Sequence, residues 1–246
     1  MSEIIYGRKP VLEVLRSGKK IEKILIDKNL SRSKINEILT QAKKLQIPVE
    51  KISAKLLFKI TGIEKNQGVA AIIPSFEYAS LSDILAISVK RQEPHFLALL
   101  DGIEDPHNLG AIIRSAEGAG VHGIIIPERR AVGVTATVAK TSAGALAYVP
   151  VAQVSNLNYT IDSLKKQNIW IIGADQNAQQ IYYEADFTLP LGIVIGSEGK
   201  GLHRLVKEKC DFLVKIPMYG QVNSLNASVA AALLFFEVRR QRSLKI

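Results

Sequence analysis

Short runs that are apolar throughout alternate along this chain with longer segments whose apolar residues recur at helical spacing. In the first third, Glu22–Ile26, Pro48–Ile52 and Val69–Ile73 are short and β-branched, which predicts strands. Between the first two, Ser33–Leu45 sets Ile35, Ile38, Leu39, Ala42 and Leu45 on one helical face. Pro10 suits the first turn of another helix over Val11–Leu15. Residues 74–94 bring Pro74, Pro94 and the polar run Lys90–Glu93, with a short helix expected near Leu81–Ile87. Strand-like runs then return at His95–Leu100, Gly123–Ile126, Asn168–Gly173, Leu191–Ile195 and Phe212–Ile216. Helical patterns separate them at Leu109–Ala119, Val134–Ala143, Tyr159–Lys166 and Leu202–Glu208. Strands apolar on both faces, alternating with helices, predict a parallel sheet covered on both sides. The ligand site of such a sheet lies beyond the carboxyl ends of its strands. The expected division is a small α/β domain over 1–75, a linker over 76–93 and a larger α/β domain over 94–246.

Composition narrows the class. The chain has 246 residues, of which 47% are hydrophobic and 22% charged, the range of a globular protein with a sizeable core. Cys210 is the single cysteine, which excludes an intrachain disulfide and a cysteine-based metal cluster; no histidine has metal-ligand spacing. The longest apolar run, Ala227–Phe236, falls well short of the roughly 20 residues a membrane span needs. The N-terminus lacks a basic-then-apolar leader, so a cytoplasmic protein without membrane or metal partners is expected. The net charge of +9 is unevenly placed: 15 Lys/Arg face 7 Asp/Glu up to Phe76, against 17 and 16 afterwards. A basic first third fits a polyanion partner, most simply nucleic acid, although a solvated lysine-rich surface has the same composition. Arg239, Arg240, Arg242 and Lys245 form a basic tail, open to phosphate contact or to plain solvation.

Three polar segments end predicted strands of the larger domain. In DGIEDPHNLGAIIRSAEGAG (Asp101–Gly120), a turn leads into a helix thinned by small residues, with Asn108 as the expected N-cap. Arg114 lies about one and a half turns further on, as either a snorkelling surface residue or a cation fixed near a site. In LGIVIGSEGKGLHRL (Leu191–Leu205), an apolar strand feeds a glycine-rich loop carrying Glu198. It is neither a Walker A loop, since Gly201 follows Lys200, nor a dinucleotide fingerprint, since Glu198 and Arg204 stand where glycine is required. In IPMYGQVNSLNASVAAALLFFE (Ile216–Glu237), a polar turn runs into an apolar helix over Ala227–Arg239 that Asn226 can cap. Each segment alone is compatible with simple capping; three on one sheet rim point to a ligand site.

Together, DPHNLGAIIRSAEGAG, IVIGSEGKGL and IPMYGQVNSLNASVAAA resemble, in order and spacing, the signature of the SpoU (TrmH) family of RNA ribose 2′-O-methyltransferases within the SPOUT superfamily. The resemblance covers roughly Pro94–Arg242. The basic first domain resembles the L30e-like substrate-binding domain that precedes the catalytic domain in many members. The resemblance implies a parallel-sheet α/β domain with a trefoil knot, S-adenosylmethionine as cofactor and a homodimer. It implies RNA as partner: a guanosine ribose in 23S rRNA is expected from the two-domain arrangement. The alternatives are tRNA with the same chemistry, or a non-catalytic RNA-binding ribosome-assembly factor. Carried over onto this chain, the cofactor contacts would be Gly196, Ile216 and Leu225, with Leu100, Gly102, Ser197, Gly201 and Met218 around them. The polar catalytic set would be Asn108, Arg114, Glu198, Asn226 and Ser228. Arg114 matches the residue to which the family's proton removal is assigned. An arginine with pKa above ~12 is better suited to stabilising a developing alkoxide.

Overall fold

A computed structural model describes residues 3–16, 21–74 and 76–244. Of the basic tail, Lys245 lies outside the described residues. The chain divides into two compact units, Met1–Glu77 and Tyr78–Ile246.

In the first unit the elements run β1 (Glu3–Tyr6), α1 (Arg8–Arg16), β2 (Lys23–Asp27), α2 (Asn36–Lys44), β3 (Val49–Ile52), α3 (Ala54–Thr61) and β4 (Val69–Ile73). The sheet order is β1-β4-β2-β3, with β4 antiparallel to both neighbours and β3 parallel to β2. Alternation along β2 and β4 sorts side chains to two faces. Ile24, Ile26, Val69 and Ala71 pack with Val11, Leu15, Ile38 and Ala42 from α1 and α2. Leu25 and Ala70 pack with Leu57 of α3 on the other face. The apolar runs taken for strands and helices omit α3, an amphipathic helix of eight residues of which only Leu57 is fully buried. It is instead defined by its ends: Ser53 Oγ accepts from the Leu56 N–H, and Gly62 closes it at φ 68°.

The second unit continues with α4 (Leu81–Arg91), β5 (Phe96–Asp101), α5 (Pro106–Ala119), β6 (Gly123–Pro127), α6 (Ala136–Thr141), β7 (Val151–Val154), α7 (Leu157–Lys165), β8 (Trp170–Ala174), β9 (Gln180–Ile181), β10 (Leu191–Gly196), α8 (Arg204–Lys209), β11 (Phe212–Lys215) and α9 (Ala227–Ser243). Its seven strands are ordered β7-β6-β5-β10-β8-β11-β9, and every neighbouring pair is parallel. This is the α/β architecture that the apolar runs predict, with β7 and β9 added. The stretch expected as a linker, 76–93, does not behave as one. Ala79 bridges to Ala152, and Ile84 of α4 is buried against Leu97, Ile125 and Leu164. A capping box, Ser80 with Asp83, starts that helix. Among the described residues no helix is long and apolar enough to cross a membrane.

The basic tail is also different from expectation, because its arginines are engaged within the fold. Arg242 donates to the carbonyls of Pro94 (2.8 Å), His95 (2.9 Å), Phe187 (3.2 Å) and Leu189 (2.7 Å), and lies over the Phe96 ring. Burial pulls its pKa down to about 10, which still leaves it charged at neutral pH. Arg239 donates to the Ala119 carbonyl, and Arg240 pairs with Glu237. Arg239 and Arg242 thus anchor α9, while Arg240 is held by Glu237 of the same helix.

The same edge of β5 holds a buried histidine. The Phe96 N–H donates to His122 Nδ1 (3.1 Å), so the neutral ring carries its proton on Nε2 and donates it to Glu93 Oε2 (2.9 Å). Burial pushes the His122 pKa below its ordinary value, against the opposing pull of Glu93, and burial also lowers His95. The unfolded chain therefore binds protons more readily between those folded values and about pH 6.5. Stability is full above that range and is lost as pH falls through it. Thermal melting should shift downward between about pH 7.5 and 5.5, and His122→Gln should make that dependence shallower. An unchanged slope in the variant would contradict the assignment.

Candidate active site

Insertion of β10 between β5 and β8 decides where the polar segments meet. Gly196, at the end of β10, pairs with Asp101 at the end of β5, so the two following loops leave the sheet side by side. After β5, Asp105 rather than Asn108 is the N-cap of α5: its Oδ1 accepts from the His107 N–H at 2.9 Å, and Pro106 fills the first helical position. Asn108 therefore sits in the first turn with its side chain buried and available for other partners. After β10 the chain makes a tight turn, with Ser197 and Gly201 exchanging backbone hydrogen bonds of 3.1 and 2.9 Å. A side chain at Gly196 would collide with the backbone of Gly201 and Leu202, so this turn requires glycine there. Asp101 holds the turn from below, accepting from the His203 N–H (2.7 Å) and Nδ1 (2.9 Å).

Asn226 caps α9 as the sequence predicts, and that cap sets the orientation of the whole polar cluster. Its Oδ1 accepts from the Ser228 N–H (2.9 Å) and from Ser228 Oγ (2.6 Å). A backbone N–H can only donate, so the Asn226 amide must turn its NH2 the other way. That NH2 donates to Glu198 Oε1, and to Asn108 Oδ1 at 3.0 Å. Asn108, its oxygen thus used, donates from Nδ2 to the same Glu198 Oε1 at 2.8 Å. Four of the five expected polar residues, Asn108, Glu198, Asn226 and Ser228, are brought together from three separate loops.

Two cavities adjoin this cluster. The first, about 350 Å³, is bounded by the 196–201 turn, by Ile216, Met218 and 223–225, and by Ala227 and Ala230 of α9. Of the expected cofactor contacts, Gly196, Ser197, Gly201, Ile216, Met218 and Leu225 line it. Leu100 and Gly102 do not. Leu100 is sealed in the core, as suits a strand buried on both faces, and Gly102 opens onto the second cavity with Asn108, Arg130 and His203. Ser197, Glu198 and Lys200 line both cavities, so the turn after β10 separates them. Asp175, Gln176 and Asn177 also border the first cavity. They follow β8 to the same rim, and the predicted strand ending at Gly173 carries the signal that could have found them. Lys207 holds Asp175 by an ion pair of 2.7 Å.

Arg114 stands apart from the other four. It is exposed and, among the described residues, makes no side-chain hydrogen bond or ion pair. Six residues beyond Asn108 on α5, it points roughly 120° away around the helix. Close by, α9 exposes Val229, Leu233 and Phe236, an apolar stripe at i, i+4 and i+7.

Comparison with known proteins gives the family. The model of the SpoU rRNA Methylase family matches residues 95–236, and that for RNA 2′-O ribose methyltransferase substrate binding matches residues 4–79. A Bacillus subtilis protein named "Putative TrmH family tRNA/rRNA methyltransferase YacO" is 46% identical over 242 residues, 98% of this chain and 96% of that one. The SpoU methyltransferase AviRb of Streptomyces viridochromogenes, solved with the cofactor AdoMet, superposes with a TM-score of 0.65 at 27% identity, covering 99% of this chain and 91% of its own. The AdoMet-bound rRNA methyltransferase of Sinorhizobium meliloti gives 0.61 at 25% identity, covering 97% and 87%.

Asn226→Asp should preserve the α9 cap, since aspartate caps as well as asparagine, while facing Glu198 with a second carboxylate. Its melting temperature should fall below that of the native protein at about pH 7.5, and the deficit should narrow near pH 4 as carboxylates gain protons. A deficit independent of pH would contradict the orientation derived for the cluster.

Proposed function

This chain belongs to the SpoU rRNA methylase family, and on that premise we propose that it transfers the methyl group of S-adenosylmethionine to the ribose 2′-hydroxyl of a guanosine in 23S rRNA. The observation that carries the proposal is the Glu198 carboxylate, fixed by the Asn108 and Asn226 amides beside a cavity of about 350 Å³. The cavity fits such a donor. It falls in the size range of small-molecule sites, pairs apolar walls from Ile195, Val214 and Ile216 with polar groups from Asp175 to Asn177, and exposes backbone along the 196–201 turn. Gly196, Ser197, Gly201, Ile216, Met218 and Leu225 would hold it.

When bound, S-adenosylmethionine supplies an already activated methyl group, so the protein's contribution is mainly positioning and charge. Asn108, Glu198 and Asn226 orient the acceptor ribose at the wall shared by the two cavities. Ser228 braces that wall through its bond to Asn226. Arg114 stabilises, through its guanidinium group, negative charge developing on the 2′-oxygen. Its distance from the cluster is accounted for by a homodimer, in which a second copy covers Val229, Leu233 and Phe236 of α9 and carries Arg114 toward a neighbouring site. Ribosomal RNA is favoured as substrate because the similarity to the Sinorhizobium meliloti rRNA enzyme extends over both units. The name of the Bacillus subtilis relative keeps tRNA as the alternative.

Incubation with labelled S-adenosylmethionine and undermodified ribosomal RNA or tRNA, followed by nucleotide mapping, tests this reading. It should give a single 2′-O-methylguanosine in 23S rRNA. Label in tRNA alone would select the alternative, and label in neither would refute the enzyme assignment. Arg114→Ala should slow transfer by about 100-fold or more while leaving donor affinity near that of the native protein. Near-normal turnover would remove Arg114 from the reaction.

A further inference from the structure

The first unit carries apolar side chains on and just beyond α3 that its own core leaves uncovered. Leu56 and Phe58 of α3 are 43% and 44% exposed, and Ile63 follows them just beyond the helix end at 37%. Lys55 and Lys59 lie on the same helix and Lys65 on the loop after it; among the described residues none of the three is paired with a carboxylate. Phe58 and Ala54 form one wall of a surface depression whose other wall is Asp27 and the 64–68 loop.

That loop is held in a defined shape. Asn66 is buried, donating to the Ile63 carbonyl (2.9 Å) and accepting from the Gly68 N–H (3.0 Å). Gln67 Oε1 accepts from the Arg8 N–H at 3.0 Å, and Gln67 itself is kept at φ 56°, an uncommon conformation for a side-chain-bearing residue. An exposed aromatic ring therefore borders a preformed depression that Lys65 also lines, and Lys55 and Lys59 lie on the same helix as the ring.

We propose that Phe58 and the 64–68 loop form a stacking site for an unpaired RNA nucleotide, with Lys55, Lys59 and Lys65 contacting the adjoining phosphates. This rests on the reading of the chain as an RNA methyltransferase and names the part of the first unit that grips its substrate. Unpaired bases stack on aromatic side chains, whereas a duplex keeps its base faces covered. The lysines match the charge of a nucleic-acid backbone. Asp27 and Glu64 also line the depression, and the proposed pose sets them against the base edge rather than the phosphates.

Fluorescence anisotropy of the full-length protein with a short unstructured RNA, and with a duplex of equal length, tests the site. Phe58→Ala should weaken single-strand binding about tenfold, and Phe58→Trp should retain it, because only the aromatic face is needed. Lys55→Gln with Lys59→Gln should lower the slope of log affinity against log salt by about 0.7 for each lysine. Melting temperature and S-adenosylmethionine affinity should be unchanged in all variants. Native protein that binds and methylates RNA while Phe58→Ala binds equally well would overturn this site alone. Equal loss in Phe58→Ala and Phe58→Trp would overturn it too. Native protein that binds no RNA would overturn both the site and the enzymatic reading.

Discussion

One carboxylate oxygen, Glu198 Oε1, accepts from amides on two different helices, and the arrangement of the second unit converges on it. Its position depends on the β10 turn, which in turn depends on glycine at 196 and on Asp101 holding His203. Its two donors depend on helix starts: Asp105 caps α5 and frees Asn108, while Asn226 caps α9 and is forced to aim its NH2 inward. Of the cluster's members only Asn108 is buried, so losing its partners would leave that amide unsatisfied, whereas Glu198 and Asn226 remain open to water. The cluster links three loops that are remote in sequence, and it is placed where two cavities share a wall.

Charge is divided between the units according to use. Arginines near the C-terminus are consumed by the fold: Arg242 satisfies four backbone carbonyls and Arg239 a fifth. The first unit instead keeps lysines in solvent near exposed apolar side chains of α3. A basic composition therefore has two physical meanings in one chain, internal anchoring in one unit and an accessible positive surface in the other.

Much of this is legible in the residues. Strands buried on both faces are continuous apolar runs, so the parallel sheet can be read directly, and the three polar segments at their ends mark the rim where the two cavities open. Asn226 is identifiable as a cap because a polar residue precedes an apolar helix. Asn108 also reads as one, wrongly, since the true cap, Asp105, is separated from the apolar positions by Pro106 and His107. The helix α3 is easily passed over because it is short, eight residues with a single fully buried side chain, Leu57. The separation of Arg114 from the cluster, the sealing of Leu100 and the internal use of Arg242 depend on side-chain direction and distant carbonyls. No local pattern encodes these.

The cavity between the 196–201 turn and Ile216–Leu225 is the proposed seat of the methyl donor, beside the Glu198 cluster. A crystal structure of the protein with S-adenosylmethionine tests it most directly. The donor should lie against Gly196, Ile216 and Leu225, with its methyl group toward Glu198 and Asn226. A donor bound elsewhere in the chain, or bound there with its methyl group directed away from Glu198, would contradict it.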